Sequence, residues 1–115
     1  MKTGEHVADC IFCKIIAGEI PAQKTYEDDV VLAFLDIHPV APQHTILIPK
    51  AHYRWFQDLP DDISDHLFRV AKKLATTLKE ETGTDYIHLS FVGKDVPHVH
   101  AHLMPRTMHD TLPAA

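Results

Sequence analysis

Residues 60–92 read PDDISDHLFRVAKKLATTLKEETGTDYIHLSFV, and a change of period inside this stretch decides the fold. Ile63, Leu67, Val70, Leu74 and Leu78 recur every three to four residues, the spacing of one helical face. Asp61 and Asp62 stand at the amino-terminal end, where the helix dipole favours carboxylates, and Gly83 lies just past the last turn. One long helix is therefore expected over 60–82. From Tyr86 the composition turns to that of a strand, over 86–92. Gly93-Lys94-Asp95 offers a tight turn, and 96–104 reads as a last strand.

Upstream, residues 10–17 (CIFCKIIA) suit a short helix with Ile11, Ile15 and Ile16 near one face and Gly18 as its stop. Residues 24–27 and 30–36 (VVLAFLD) read as two strands with Asp28-Asp29 as the hairpin turn. The run HTILI at 44–48 is β-branched and apolar on both faces, the mark of a central, doubly covered strand, and Pro49 ends it. Residues 50–59 look irregular, with Trp55 and Phe56 expected to pack them onto the core or to edge a groove. Three strands, a long helix and two more strands, with hairpin-length gaps at both ends, argue an antiparallel sheet carrying helices. The expected class is α+β.

The 115 residues fit one domain, 1–115, with a core at about 10–106 and short flexible ends. Hydrophobic residues are 45% and charged residues 23%, the balance of a globular protein. Lys and Arg number 11 against 16 Asp and Glu, so the net charge is -5 and no basic footprint for a nucleic acid polymer exists. No apolar run reaches the roughly 18 to 20 residues of a membrane helix, and MKTGEHVADC carries no secretory h-region. Cytoplasm is the expected compartment.

Histidine is the outlier, at 10 residues. Three of them alternate as His98-Val99-His100-Ala101-His102. On a strand such residues share a face, with neighbours about 6.6–7 Å apart, while Val99, Ala101 and Leu103 face a core. One metal with bonds of about 2.0–2.1 Å reaches neighbouring imidazoles but hardly all three, so the row suits a divided site. One histidine would then serve metal or structure, and the others a phosphate-like group. Crowded imidazoles resist joint protonation, which keeps one neutral and nucleophilic. Cys10 and Cys13 form a CxxC, half of a zinc site; His52 and one member of the row are candidates to complete it. Asp36 ends a strand, where a carboxylate can accept bonds from a ribose diol or simply begin a turn before Pro39. His44 opens the central strand and can orient another histidine or cap the edge. His6, His38, His66, His88 and His109 read as surface or locally satisfied. Phosphate-loop, GxGxxG and GxSxG motifs are absent, so phosphate would have to be handled by histidines and backbone amides.

The chain resembles the histidine-triad (HIT) family, bacterial hydrolase-type branch, over about 10–106. Its signature of three histidines alternating with apolar residues is met by His98-Val99-His100-Ala101-His102-Leu103-Met104. The flank CIFCKIIAGEIPA, the segment FLDIHPVAPQHTILIPKAH and the tail HLMPR are also similar. The resemblance implies a five-stranded antiparallel sheet, usually paired as a homodimer through the long helix and the sheets. It implies a nucleotide hydrolase or transferase acting at the α-phosphate of purine nucleoside phosphoramidates or dinucleoside polyphosphates. His100 would be the nucleophile that forms a nucleotidyl-histidine, His102 would hold the α-phosphate, and His44 would orient the active imidazole. Asp36 would bind the ribose, and Ile11, Phe12, Ile15, Phe34 and Ile46 the base. Cys10, Cys13, His52 and His98 would hold structural zinc. Ahead of the triad, relatives carry an Asn, a longer glycine-rich loop and a Gln-Ser or Gln-Thr pair. Here the loop is shorter, and Lys94 and Asp95 stand in place of the polar pair, as a phosphate-binding charge and a candidate proton donor.

Two other readings use the same residues. A catalytic zinc could sit on His98 and His100 with a third ligand such as His44, leaving a position open for water. A non-catalytic nucleotide-binding or adaptor protein would keep the pocket without turnover.

Overall fold

The computed structural model of the chain describes residues 9–111. His6 and much of both expected flexible ends lie outside them. In chain order the elements are α1 (Ile11–Ile16), β1 (Lys24–Glu27), β2 (Val31–Leu35), β3 (Thr45–Pro49), a 3-10 turn at Phe56–Asp58, α2 (Asp61–Thr82), β4 (Tyr86–Phe91) and β5 (Ala101–Arg106). The strands form one antiparallel sheet in the order β1-β2-β3-β5-β4. This is the α+β architecture expected.

Alternation along the strands gives the sheet two apolar faces. Against one face lies α2, whose Leu67, Val70, Ala71 and Leu78 pack with Val31, Ala33, Leu47, Ala101 and Leu103. Against the other lies α1, whose Phe12, Cys13 and Ile15 pack with Leu32, Phe34, Ile46 and Ile48. All five residues of β3 are buried, as a doubly covered central strand requires. On the α1 side, pairing sets Phe34, Ile46, His102 and Ser90 in a row across four strands. That row is the floor of the candidate site.

The turn between β1 and β2 is held by Asp28. One carboxylate oxygen accepts the Val30 and Val31 amides, and the other accepts the Tyr26 hydroxyl at 2.8 Å and His66 Nε2 at 2.7 Å. Burial opposes ionisation of this carboxyl, but the four hydrogen bonds outweigh it and hold it well below the usual carboxylate range. His66 is thus locally satisfied, and it ties α2 to the hairpin. At its other end α2 stops on Gly83, whose φ of +66° suits the left-handed cap and whose N–H donates to the Lys79 carbonyl.

Two features differ from expectation by more than a residue at an element's end. Strand β5 begins at Ala101 rather than at residue 96. Gly93 takes φ +71°, Pro97 has no amide to give a ladder, and the Val99 amide donates instead to the Tyr53 carbonyl at 2.7 Å. His98 and His100 therefore stand just ahead of the strand. In α1, Ile11 is exposed and Phe12, Cys13 and Ile15 point inward. The rotation follows from Cys10 and Cys13, which both turn toward the same buried cluster.

Candidate active site

The three alternating histidines go to two places. His98 is fully buried and faces Cys10, Cys13 and His52; His100 and His102 face a cavity. Phe12 separates the two groups, with its ring edge-on to His98 at 5.8 Å and to His100 at 5.1 Å between centroids.

Hydrogen bonds fix the tautomers. His100 Nδ1 lies 2.8 Å from the His98 carbonyl oxygen, which can only accept, so in the neutral ring the proton sits on Nδ1 and Nε2 keeps its lone pair. A second chain begins at the Val40 amide, which donates to His44 Nδ1 at 3.0 Å. His44 must then carry its proton on Nε2, which donates to His102 Nδ1 at 2.9 Å. His102 is left with its proton on Nε2, as a donor. Burial, reinforced by the nearby His100 and His44, pushes His102 down to about 4. Burial also lowers His44, against the pull of Asp36, whose Oδ2 is 3.6 Å from His44 Nε2. Both rings are neutral near pH 7, as the donor chain requires.

The cavity holds about 450 Å³. Phe12, Ile15, Phe34 and Ile46 form its apolar wall, and the exposed Ile11 contributes its rim. Asp36, His44, His100 and His102 provide the polar side, with Asp95 at the loop before the triad. The Asp36 amide donates to the His44 carbonyl and its Oδ1 accepts the His38 amide, so the carboxylate is fixed at the end of β2. Lys94 is exposed and stands outside this lining. A small polar region beside a large apolar wall is the composition of a nucleoside-sized site.

The second cluster is a buried donor set. Sγ of Cys10 and Cys13 and one ring nitrogen each of His52 and His98 all lie within 4.8 Å of one another. Cys10 Sγ to His98 Nδ1 is 3.2 Å, Cys13 Sγ to His52 Nδ1 3.3 Å, Cys13 Sγ to His98 Nδ1 3.6 Å and the two Nδ1 atoms 3.2 Å. Zinc bonds of about 2.3 Å to sulfur and 2.0–2.1 Å to nitrogen give tetrahedral edges of about 3.3–3.8 Å. His98 Nε2–H donates to the Pro49 carbonyl at 2.8 Å, which turns the Nδ1 lone pair toward the cluster, and the Cys13 amide donates to Cys10 Sγ at 3.3 Å. Four convergent electron-pair donors with outer hydrogen bonds suit a closed structural zinc site. His98, His100 and His44 are not brought together as a ligand set among the described residues.

Residues 17–109 match the sequence profile of the HIT domain. The chain belongs to the HIT domain family. The adenosine 5'-monophosphoramidase of Saccharomyces cerevisiae is 44% identical over 103 residues, covering 86% of this chain and 63% of the relative. A solved structure from Streptococcus mutans aligns with TM-score 0.88 and 38% identity, over 97% of this chain and 74% of that one. A zinc-bound histidine triad family protein from Mycobacterium smegmatis aligns with TM-score 0.85 and 32% identity, over 91% and 80%. The profile match starts after the CxxC, so the zinc reading rests on the donor geometry here and on that zinc-bound relative.

Two residues of this HIT chain depart from the sequence expectation: Ser90 is not singled out there, and His88, expected to be surface or locally satisfied, has its Nε2 neither exposed nor hydrogen-bonded among the described residues. His88 and Ser90 lie on the site face of β4, with Ser90 paired to His102, and His88 Nε2 and Ser90 Oγ are buried without a protein partner. His88 also bears electrostatically on both His44 and His102. Their signal was available: in YIHLSFV they are the alternate positions, and both are polar.

Metal analysis should find one zinc per chain in wild type and none in Cys13→Ser. Chelation should lower the melting temperature by at least about 10 °C, on a scale of ~4–5 °C per kcal/mol for a chain of this size. A second test concerns pH. His102 titrates near 4 in the folded chain against 6.5 ordinarily, so the unfolded chain takes up a proton that the folded chain refuses. Stability present above pH 6.5 should fall as the pH drops toward 4, less steeply in His102→Gln than in wild type, as read by denaturant melts.

Proposed function

We propose that the chain is a nucleotide hydrolase acting at the α-phosphate of purine nucleoside phosphoramidates or dinucleoside polyphosphates through a nucleotidyl-histidine on His100. The observation that carries this reading is the bond from His100 Nδ1–H to the His98 carbonyl, which leaves Nε2 unprotonated at the cavity. The nucleoside would lie against Phe34 and Ile46 with Asp36 accepting from the ribose, and His102 Nε2–H would donate to a non-bridging phosphate oxygen. His100 Nε2 forms a bond to phosphorus as the bond to the departing nitrogen or oxygen breaks. The electron pair leaves with that atom, which takes up a proton from water. A water oxygen then bonds to phosphorus, the phosphorus–Nε2 bond breaks, its electrons return to the ring and one proton is released with the nucleoside monophosphate. Another acceptor in place of water makes the same chemistry a transfer. Splitting one displacement into two lowers each barrier. The similarity to a named phosphoramidase supports the substrate class.

Zinc on Cys10, Cys13, His52 and His98 would supply a structural cross-link, not chemistry. A cysteine pair used as ligands rather than as a disulfide suits a reducing compartment such as the cytoplasm. No helix among the described residues is long and apolar enough to cross a membrane. We further infer a homodimer, because β4 is a sheet edge with Leu89 exposed and α2 exposes Phe68 on the same side. Sedimentation should give a dimer for wild type and monomer for Leu89→Lys with Phe68→Lys.

Intact mass after brief mixing with adenosine 5'-phosphoramidate should show an added AMP on wild type that decays as AMP appears. His100→Ala should lose the adduct and at least ~10⁴-fold in turnover while still binding AMP. AMP binding without an adduct or turnover in wild type would instead identify a nucleotide-binding module.

A further inference from the structure

A second cavity, of about 250 Å³, opens on the same nucleophile. His100 and Val92 border both cavities, whereas Arg54, Trp55, Phe56 and Gln57 border only this one. Its lining includes no carboxylate, although the chain as a whole carries a net charge of -5. The Arg54 guanidinium lies 4.5 Å from the centre of the Trp55 ring, and no carboxylate pairs with it among the described residues. An arginine kept over an aromatic face retains its full charge and its donors. Trp55 is in turn set by Gly93: a Cβ there would stand 3.3 Å from the indole. Phe56 and Phe91 add flat apolar surface.

A substrate cleaved at His100 has two parts, joined at the reacting phosphorus. The larger cavity has room for the nucleoside part, and the smaller one, at 250 Å³ against 450 Å³, shares the His100 border with it. We propose that the Arg54–Trp55 cavity is the subsite for the leaving group, and that it selects an amine of amino-acid size bearing a carboxylate beside a planar apolar side chain. The inference rests on the hydrolase reading above. The bond broken is the one between phosphorus and the amine nitrogen; the amine departs with the electron pair and takes its proton from water, with its anion held at Arg54.

The test compares kcat/KM for diadenosine triphosphate and three adenosine phosphoramidates: unsubstituted, linked to phenethylamine, and linked through nitrogen to phenylalanine with its carboxylate free. Wild type should favour the phenylalanine compound over the phenethylamine compound by about tenfold or more, the range of a charge-assisted hydrogen bond. Arg54→Gln should bring that ratio close to one, and Arg54→Lys should keep part of it. Added salt should reduce the ratio in wild type and leave it unchanged in Arg54→Gln. Hydrolysis of all three phosphoramidates by wild type with a ratio near one would overturn the subsite and leave the hydrolase reading standing. An Arg54-dependent preference for diadenosine triphosphate over the phenylalanine compound would overturn the assignment to an amino-acid-sized group, because the anion recognised would be phosphate. No turnover of any compound by folded wild type would overturn both readings together.

Discussion

One carbonyl oxygen organises the candidate site. The His98 carbonyl accepts the Nδ1 proton of His100, so the other nitrogen of that ring faces the cavity with its lone pair. The residue that carries that oxygen is held by the Pro49 carbonyl on one ring nitrogen and by the cysteine and histidine cluster on the other, and its backbone by the Val99 amide bonded to the Tyr53 carbonyl. The alternating histidines are therefore not three copies of one function. The first is scaffold, and its backbone sets the tautomer of the second. The donor cluster at His98 and the cavity ring of His100 can stand two residues apart in sequence because the Phe12 ring lies between the two imidazoles and keeps them in separate environments.

The third histidine is governed from the opposite direction. Its proton position is inherited from a backbone amide at Val40, relayed through His44. Such a chain is directional: every ring in it must be neutral, and burial enforces that neutrality. The two cavity-side imidazoles thus differ in kind, one presenting a lone pair and the other an N–H, although residue type and cavity are the same.

Much of this was legible from residue pattern. The five apolar positions of α2 and the two-faced run at β3 have one geometric solution each, so both elements lie within a residue of where they are expected. Grouping of Cys10 and Cys13 with a distant His52 could be anticipated from ligand chemistry, which is indifferent to sequence separation. What pattern could not give was orientation. The start of β5 depends on a backbone turn at Gly93 and on an amide committed to Tyr53, neither of which has a periodic signature. Ile11 was expected to share one face of α1 with Ile15 and Ile16; the cluster instead turns Phe12, Cys13 and Ile15 inward and leaves Ile11 exposed. Lys94 was placed by its position in the chain, and a tight turn carries it away from the cavity. Tautomers were beyond reach altogether, being decided by acceptors on other segments.

The sheet is covered unequally: 22 residues of α2 on one face, and on the other only the six of α1. A helix of six residues has no independent stability in water, so α1 is held down by its side chains: Cys13, with the N-cap Cys10, belongs to the buried donor cluster, and Phe12 and Ile15 belong to the cavity wall. Occupancy of the cluster and occupancy of the cavity consequently share one ordered segment. Thermodynamic linkage then makes the two reciprocal: whatever factor a bound ion contributes to the affinity for a molecule resting on Phe12 and Ile15, that molecule returns to the affinity for the ion. An element outside the HIT profile match thereby couples metal supply to the filling of a site in which the metal takes no part.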